Sequence, residues 1–487
     1  MTLPPYQLVP VAAMSELDRR AIEGWVPLID LVGRAAAAVA SAIQGRYIHR
    51  STLVICGKGN NGADGFVTAA LLADAGWPVT VASTVPREEL KGDQAIAASR
   101  WTGPIAALTV DILDGQQLVV DALYGAGLNR PILGGEQDVL REIARRGLDT
   151  VAIDIPSGVK GDTGEIAEGG EVAKAALTVT FHRKKPGHVL LPGRGYCGDV
   201  VVADIGLPDS ESQPDAIFEN LPELWRDSFP WPVGDTNKYK RGHALVVGGD
   251  MTGAGRLAAH AAQRIGAGLV TVACPQDCKV IYSSISPSLI VQAVQNAGGV
   301  SSIIADRHVK AILAGPGGGI GDALADTIRA ILDSGLPAVL DADALSVLAT
   351  QPELRSRLKP HHILTPHEGE FKRLFDFEGS RIERARRAAN ESSATILLKG
   401  TDTIIAEPNG HIAVNSNATP WLATAGSGDT LAGFIVGLLA QGMTPFLAAC
   451  TGAWMHGECA RSFGPGLIAD DLAGQVPAVL KRLLARQ

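Results

Sequence analysis

The chain has 487 residues, too many for one ordinary core, so two or three domains are expected. Its formal net charge of −8 leaves no basic footprint for nucleic acid or an anionic membrane surface, and its six cysteines show neither disulfide nor zinc spacing. With 46% hydrophobic residues, 56 glycines and few aromatics, the composition predicts an α/β chain, with helices packed on buried parallel strands.

The N-terminus lacks a basic region followed by an apolar one, and no run approaches the ~20 apolar residues of a membrane span. A cytoplasmic protein is expected. Residues 14–43 read as one helix with Ser15 as its cap. The strand Thr52-Leu53-Val54-Ile55-Cys56 then runs into Gly57-Lys58-Gly59-Asn60-Asn61-Gly62-Ala63-Asp64-Gly65, with a helix from Phe66. These glycines satisfy a dinucleotide fingerprint, but the next strand ends in Ser83 and Thr84 where a ribose-binding acid is wanted. The loop is better read as a seat for a polar ligand and a cation, lined by Asn60, Asn61 and Asp64. Two more strands end in Asp121-Ala122-Leu123-Tyr124-Gly125 and Asp154-Ile155-Pro156-Ser157-Gly158, which places three polar loops on one sheet edge. Of the short basic runs, Arg183-Lys184-Lys185 lies beside a strand and is suited to a phosphate, whereas residues 384–387 read as a solvated helix face.

These motifs, with Thr180-Phe181 and Lys185-Pro186-Gly187, resemble the NAD(P)H-hydrate epimerase family across roughly residues 14–207. The resemblance implies a Rossmann-like domain that interconverts the two epimers of hydrated NAD(P)H. It implies potassium held by Asn61, Asp121 and Ser157, and hydrate contacts from Asn60, Asn61, Gly62, Ala63, Asp64, Gly125, Ala126, Gly127, Leu128, Asn129, Arg130, Pro131 and Asp154. Asp154 is the candidate for acid-base work. The pattern departs from the family at Ala63, often a glycine, and at Leu28-Ile29-Asp30, often Leu-Met-Glu.

Residues 208–235 interleave five prolines with acidic residues and read as a linker, set at 209–234 between domains 1–208 and 235–487. Leu221, Leu224, Trp225 and Trp231 are candidates for docking onto a domain. The β/α alternation then restarts at His243-Ala244-Leu245-Val246-Val247, with further strands at 269–273, 311–313, 338–340, 362–364 and 395–398. Each leads into polar or glycine-rich sequence, ending with Gly426-Ser427-Gly428-Asp429-Thr430 at the start of an apolar helix. Helix-start amides carry partial positive charge and would receive a phosphate, with Asp429 at the rim as a general base. Lys399 reads either as a phosphate contact or a solvent-facing lysine, and His367 as a ligand contact or a helix cap. No P-loop lysine motif is present.

The motifs from Lys238 to Thr430 resemble the ribokinase-like NAD(P)H-hydrate dehydratases. That resemblance implies ADP-dependent dehydration of the S hydrate: the ring hydroxyl is phosphorylated and phosphate then leaves. It places Ala254, Gly317, His367 and Asp429 on the hydrate, and Lys399, Gly400, Thr401, Asp402, Thr403 and Gly428 on the nucleotide. Magnesium on the phosphates is expected, and relatives suggest a homo-oligomer. The expected whole is two α/β/α domains acting on NADHX and NADPHX, with neither nucleic acid nor membrane as partner. The competing reading is a ribokinase-like kinase of a hydroxymethylpyrimidine or hydroxyethylthiazole, carrying a non-catalytic sensing or scaffolding domain.

Overall fold

The computed structural model describes residues 4–24, 26–207 and 215–485, and the chain divides into two units, Met1–Gln213 and Pro214–Gln487. In the first, β1 (Thr52–Cys56), β2 (Val79–Ser83), β3 (Ile105–Ala107), β4 (Leu118–Ala122), β5 (Asp149–Ile153), β6 (Leu177–Phe181) and β7 (Asp199–Ala203) form a sheet. Its order is β3-β2-β1-β4-β5-β6-β7, with every pair parallel. This is the doubly wound arrangement, whose order reverses between β1 and β4 and opens a crevice at the carboxyl ends. All five residues of β1 and of β4 are buried, as strands covered on both faces require.

Two local expectations change. The helix expected over 14–43 is two helices, Val11–Glu23 and Leu28–Arg46. Gly24 closes the first, and Pro27, extended at ψ 139, starts the second in a new direction. The second is apolar and long enough to cross a membrane by composition, but Leu31, Val32, Ala35, Ala36, Val39 and Ile43 are buried at helical spacing in the core. The glycine loop is also shorter than expected, because the next helix, Asn60–Asp74, starts at Asn60. Asn60 and Asn61 are therefore first-turn residues, with Asp64 one turn further along.

The second unit contains β8 (Ile217–Glu219), β9 (His243–Val247), β10 (Leu269–Cys274), β11 (Ile290–Ala293), β12 (Ala311–Ala314), β13 (Ala338–Leu340), β14 (His362–Leu364), β15 (Thr395–Leu398), β16 (Thr403–Ala406) and β17 (Ile412–Asn415). Within this unit the order is β8-β17-β16-β15-β14-β13-β12-β9-β10-β11, with β16 antiparallel to both neighbours and the other pairs parallel. Residues 208–214 of the expected linker lie outside the described residues, but the rest is not a free connection. β8 joins the sheet beside β17, Trp225 is 1% exposed against Phe229 and Trp454, and Asn220 donates to Asn415 Oδ1 at 2.8 Å. Apolar anchors every few residues outweighed the prolines.

The Ser427–Ala440 helix is buried almost all round. It lies against the Thr252–Arg264 helix so closely that a Cβ on Gly433 would come 2.3 Å from the Ala258 carbonyl oxygen. Small residues here buy backbone proximity. All six cysteines are unpaired and buried, which suits reduced thiols.

Candidate active sites

Carboxyl-end loops of β1, β4, β5 and β6 line a cleft of ≈ 590 Å³ in the first unit. Asp154 follows β5 with φ 66, a left-handed conformation that aspartate tolerates better than most residues. Its Oδ1 accepts from Lys185 Nζ at 2.7 Å and from the Thr180 hydroxyl at 3.0 Å, and its Oδ2 accepts from the Ala126 amide at 2.8 Å. Burial alone would raise this carboxyl, but the Lys185 ammonium and these donors hold it at about 2. Lys185, only 4% exposed, is thus a charge partner inside the cleft, which departs from the phosphate contact its basic run suggested.

Asp64 faces the same cleft under opposite conditions. Burial and the charges of Asp154 and Asp18 push its carboxyl well above the usual range, which favours the neutral acid. Asp18, on the Val11–Glu23 helix, also lines the cleft and is raised by burial. Asp18 was not legible as a site residue, and Lys185 was legible only as a phosphate contact, because both act through neighbours distant in the chain.

Of the expected hydrate contacts, Asn60, Asn61, Asp64, Gly125, Ala126, Gly127, Leu128, Arg130 and Asp154 line this cleft. Gly62, Ala63, Asn129 and Pro131 do not. Ala63 is packed with Val32, Ala36, Val67 and Ala97, and a Cβ on Gly62 would sit 1.9 Å from the Gly57 carbonyl oxygen, so both shape the helix start. Asp121 and Ser157 are brought together: Ser157 Oγ donates to Asp121 Oδ1 at 2.6 Å, and its amide donates to Oδ2 at 2.9 Å. Asn61 flanks the adjoining turn, with Oδ1 3.6 Å from where a Gly125 Cβ would lie, and its buried Nδ2 has no partner among the described residues.

The second unit gathers its site around Lys399, at the end of β15. Its Nζ donates to Asp341 Oδ1 at 2.8 Å and lies 3.8 Å from Glu370 Oε2. A Cβ on Gly428 would be 3.5 Å from the same Nζ, which places the ammonium beside the start of the Ser427–Ala440 helix. Gly426 begins that turn at φ 85, where a side chain would be strained and its Cβ would strike Leu257. Asp429 is half-buried in the first helical turn, and burial with the nearby charge of Asp341 raises its carboxyl to about 6 against the pull of Lys399. Asp343 also raises it, and Asp343 Oδ2 accepts from the Gly319 amide at 2.9 Å, tying the Gly317 loop to the same cluster. Between the two acids Ala342 holds φ 50, a strained conformation for alanine at the mouth of β13.

Beside this cluster is a cleft of ≈ 560 Å³ lined by His367, Lys399, Gly400, Thr401, Thr403, Ser427, Gly428 and His456, among others. Asp402, expected on the nucleotide, does not line it; its buried carboxylate lies 3.6 Å from Arg381 Nε and anchors the loop. His367 is a cap: Nδ1 accepts from the amides of Gly369 and Glu370, while its ring remains at the cleft wall. Ala254, in the first turn of the Thr252–Arg264 helix, lies outside that lining, as do Gly317 and Asp429, the last directly following the lining residue Gly428. Against burial, Asp341 and Glu370 raise the Lys399 ammonium above its ordinary value; Asp341 alone was ambiguous in the sequence, and Glu370 became legible as a site residue only here. The basic run 384–387 is likewise not merely solvated, since Arg384 pairs with Glu368 at 3.0 Å and Arg387 stacks over Phe377.

Residues 244–472 match a family model described as NAD(P)H-hydrate dehydratase, and residues 28–187 one described as YjeF-related protein N-terminus. A bifunctional NAD(P)H-hydrate repair enzyme from Moorella thermoacetica is 36% identical, covering 98% of this chain and 97% of that protein. One of the same name from Coxiella burnetii is also 36% identical, over 94% of this chain and 96% of that protein. In fold, a ribokinase-like superfamily protein from Enterococcus faecalis V583 superposes with a TM-score of 0.51 at 22% identity, covering 57% of this chain and 99% of that one. Similarity at this level across both units accounts for the first half that a vitamin kinase would leave unexplained, and the chain belongs to the family of bifunctional NAD(P)H-hydrate repair enzymes.

Proposed function

We propose that the first unit interconverts the R and S hydrates of NAD(P)H and that the second dehydrates the S hydrate with ADP as phosphoryl donor. The observation that carries the first half is that one cleft holds two carboxyls in opposed surroundings, Asp154 paired with Lys185 at 2.7 Å and shifted down, Asp64 buried beside other acids and shifted up. Interconversion needs both. The ring hydroxyl must take up a proton to leave as water, the ring nitrogen lone pair bearing the positive charge, and the water that adds to the opposite face must give one up. Asp64 supplies the first proton and Asp154 receives the second. Lys185 keeps Asp154 ionised in a cleft where burial would otherwise neutralise it.

Asn61, Asp121 and Ser157 offer only oxygen donors to a cation, apart from the Asn61 amide nitrogen, and the fully buried Asp121 carboxylate has no cationic side-chain partner among the described residues. This set suits potassium, which would fix the Tyr124–Gly125 turn against the β5 loop.

In the second unit Asp429 takes the proton of the ring hydroxyl as it attacks the terminal phosphoryl group. Lys399, Gly428 and the helix-start amides receive the transferred negative charge. Magnesium carried on the nucleotide phosphates would neutralise their charge. Elimination of phosphate then restores the dihydronicotinamide ring.

The test is to give purified protein a mixture of NADHX epimers with ADP and follow NADH absorbance. Both epimers should be recovered. Recovery of neither with ADP or ATP overturns the reading.

A further inference from the structure

A second cavity in the first unit, ≈ 630 Å³, lies at the carboxyl ends of β2 and β3, across the β1/β4 crevice from the Asp154 loop. Ser83, Thr84, Val85 and Pro86 form one side, Ile105 and Leu108 another, and Leu133 and Glu136 close it. Its size falls within the ~300–1,000 Å³ of small-molecule clefts. Arg130 lines both cavities. The partition between them is Tyr124, which lines the first and donates its hydroxyl to Glu136 of the second at 2.8 Å, with the Arg130 guanidinium 5.4 Å from the Tyr124 ring. Arg130 makes no ion pair with any carboxylate among the described residues, whereas the Glu136 carboxylate is engaged by Tyr124.

A dinucleotide bound to a doubly wound sheet straddles the crevice where strand order reverses, one half on each side. With the hydrated ring at Asp154, the other half reaches the β2 and β3 ends. There a strand ending in an acid would hold a free ribose 2′-hydroxyl and repel a 2′-phosphate; this strand ends in Ser83 and Thr84, with the Arg130 guanidinium, held by Tyr124 but by no carboxylate among the described residues, on the shared wall.

We infer that the cavity bounded by Ser83, Thr84, Leu108 and Arg130 binds the adenosine half of the epimerase substrate, with Thr84 and Arg130 receiving the ribose 2′-phosphate of the phosphorylated form. Apolar Ile105, Leu108 and Leu133 suit the adenine ring. The inference rests on the epimerase reading of the first unit.

The experiment measures epimer interconversion of NADHX and NADPHX by the full chain and by Thr84→Asp and Arg130→Gln. A carboxylate at residue 84 should raise KM for NADPHX at least about fivefold relative to that for NADHX, the scale of one unfavourable unit-charge contact at ~4 Å in water. Arg130→Gln should shift the ratio the same way. Adenosine 2′,5′-bisphosphate should inhibit interconversion competitively, more strongly than adenosine 5′-monophosphate, and should slow amide exchange across residues 83–86 and 105–108. Equal changes in KM for both substrates, or exchange protection confined to the second unit, overturn the inference. If the wild-type chain interconverts no hydrate, the epimerase reading fails instead, and the exchange measurement still reports on the cavity.

Discussion

Asp154, Asp64 and Asp429 are the same residue type near strand ends or helix starts, yet their neighbours separate them. Asp154 is held at about 2 by Lys185, while Asp429 is raised to about 6 by burial and Asp341. A base works only when ionised, so dehydration should fall as pH drops through about 6, read as a pH–rate profile under saturating ADP. Asp429→Asn should cost roughly 10²- to 10⁴-fold in dehydration rate, the usual contribution of a positioned base, while epimer interconversion persists. For Asp154 the sign concerns stability as well. Its folded value lies below the ordinary 3.8, so the stabilisation is present above that pH and lost as pH falls through about 2. Lys185→Met leaves a buried carboxylate unpaired, with an expected loss of about 3–5 kcal/mol at neutral pH in denaturant unfolding of the first unit. Its acid-unfolding midpoint should move to higher pH.

Among the elements, the Ser427–Ala440 helix carries both a packing face and a chemical terminus. Gly433 sets its distance from the Thr252–Arg264 helix, so Gly433→Ala should destabilise the second unit by about 1–3 kcal/mol, visible as a lowered midpoint in thermal or denaturant unfolding. Gly426→Ala acts at the other end. A side chain at φ 85 that also strikes Leu257 shifts the turn bearing Gly428 and Asp429, and the expected outcome is a reduced dehydration kcat with a smaller change in overall stability. This helix start was legible in the sequence because glycine punctuation and an apolar run are local signals. The start of the Asn60–Asp74 helix was not, since its first turn carries two asparagines and a glycine, which by local preference read as loop. Close packing of Gly62 on Gly57 overrides that preference.

For the molecule as a whole, each unit assembles its proposed site from its own residues. A mixture of Asp154→Ala and Asp429→Asn chains should therefore repair both hydrate epimers by free exchange of substrate, where neither variant alone does. Failure of the mixture, with each variant retaining its other activity, would show that the substrate must stay with one chain. The sequence by itself determined the two-part β/α alternation, the loops that meet at each sheet edge and the family, because strand runs, glycine turns and their order are written locally. Only the tertiary structure decided which of those polar residues face a cleft and in what protonation state. Lys185 reaches Asp154 across 31 residues and Lys399 reaches Asp341 across 58, and these ion pairs exist only once the sheets have closed.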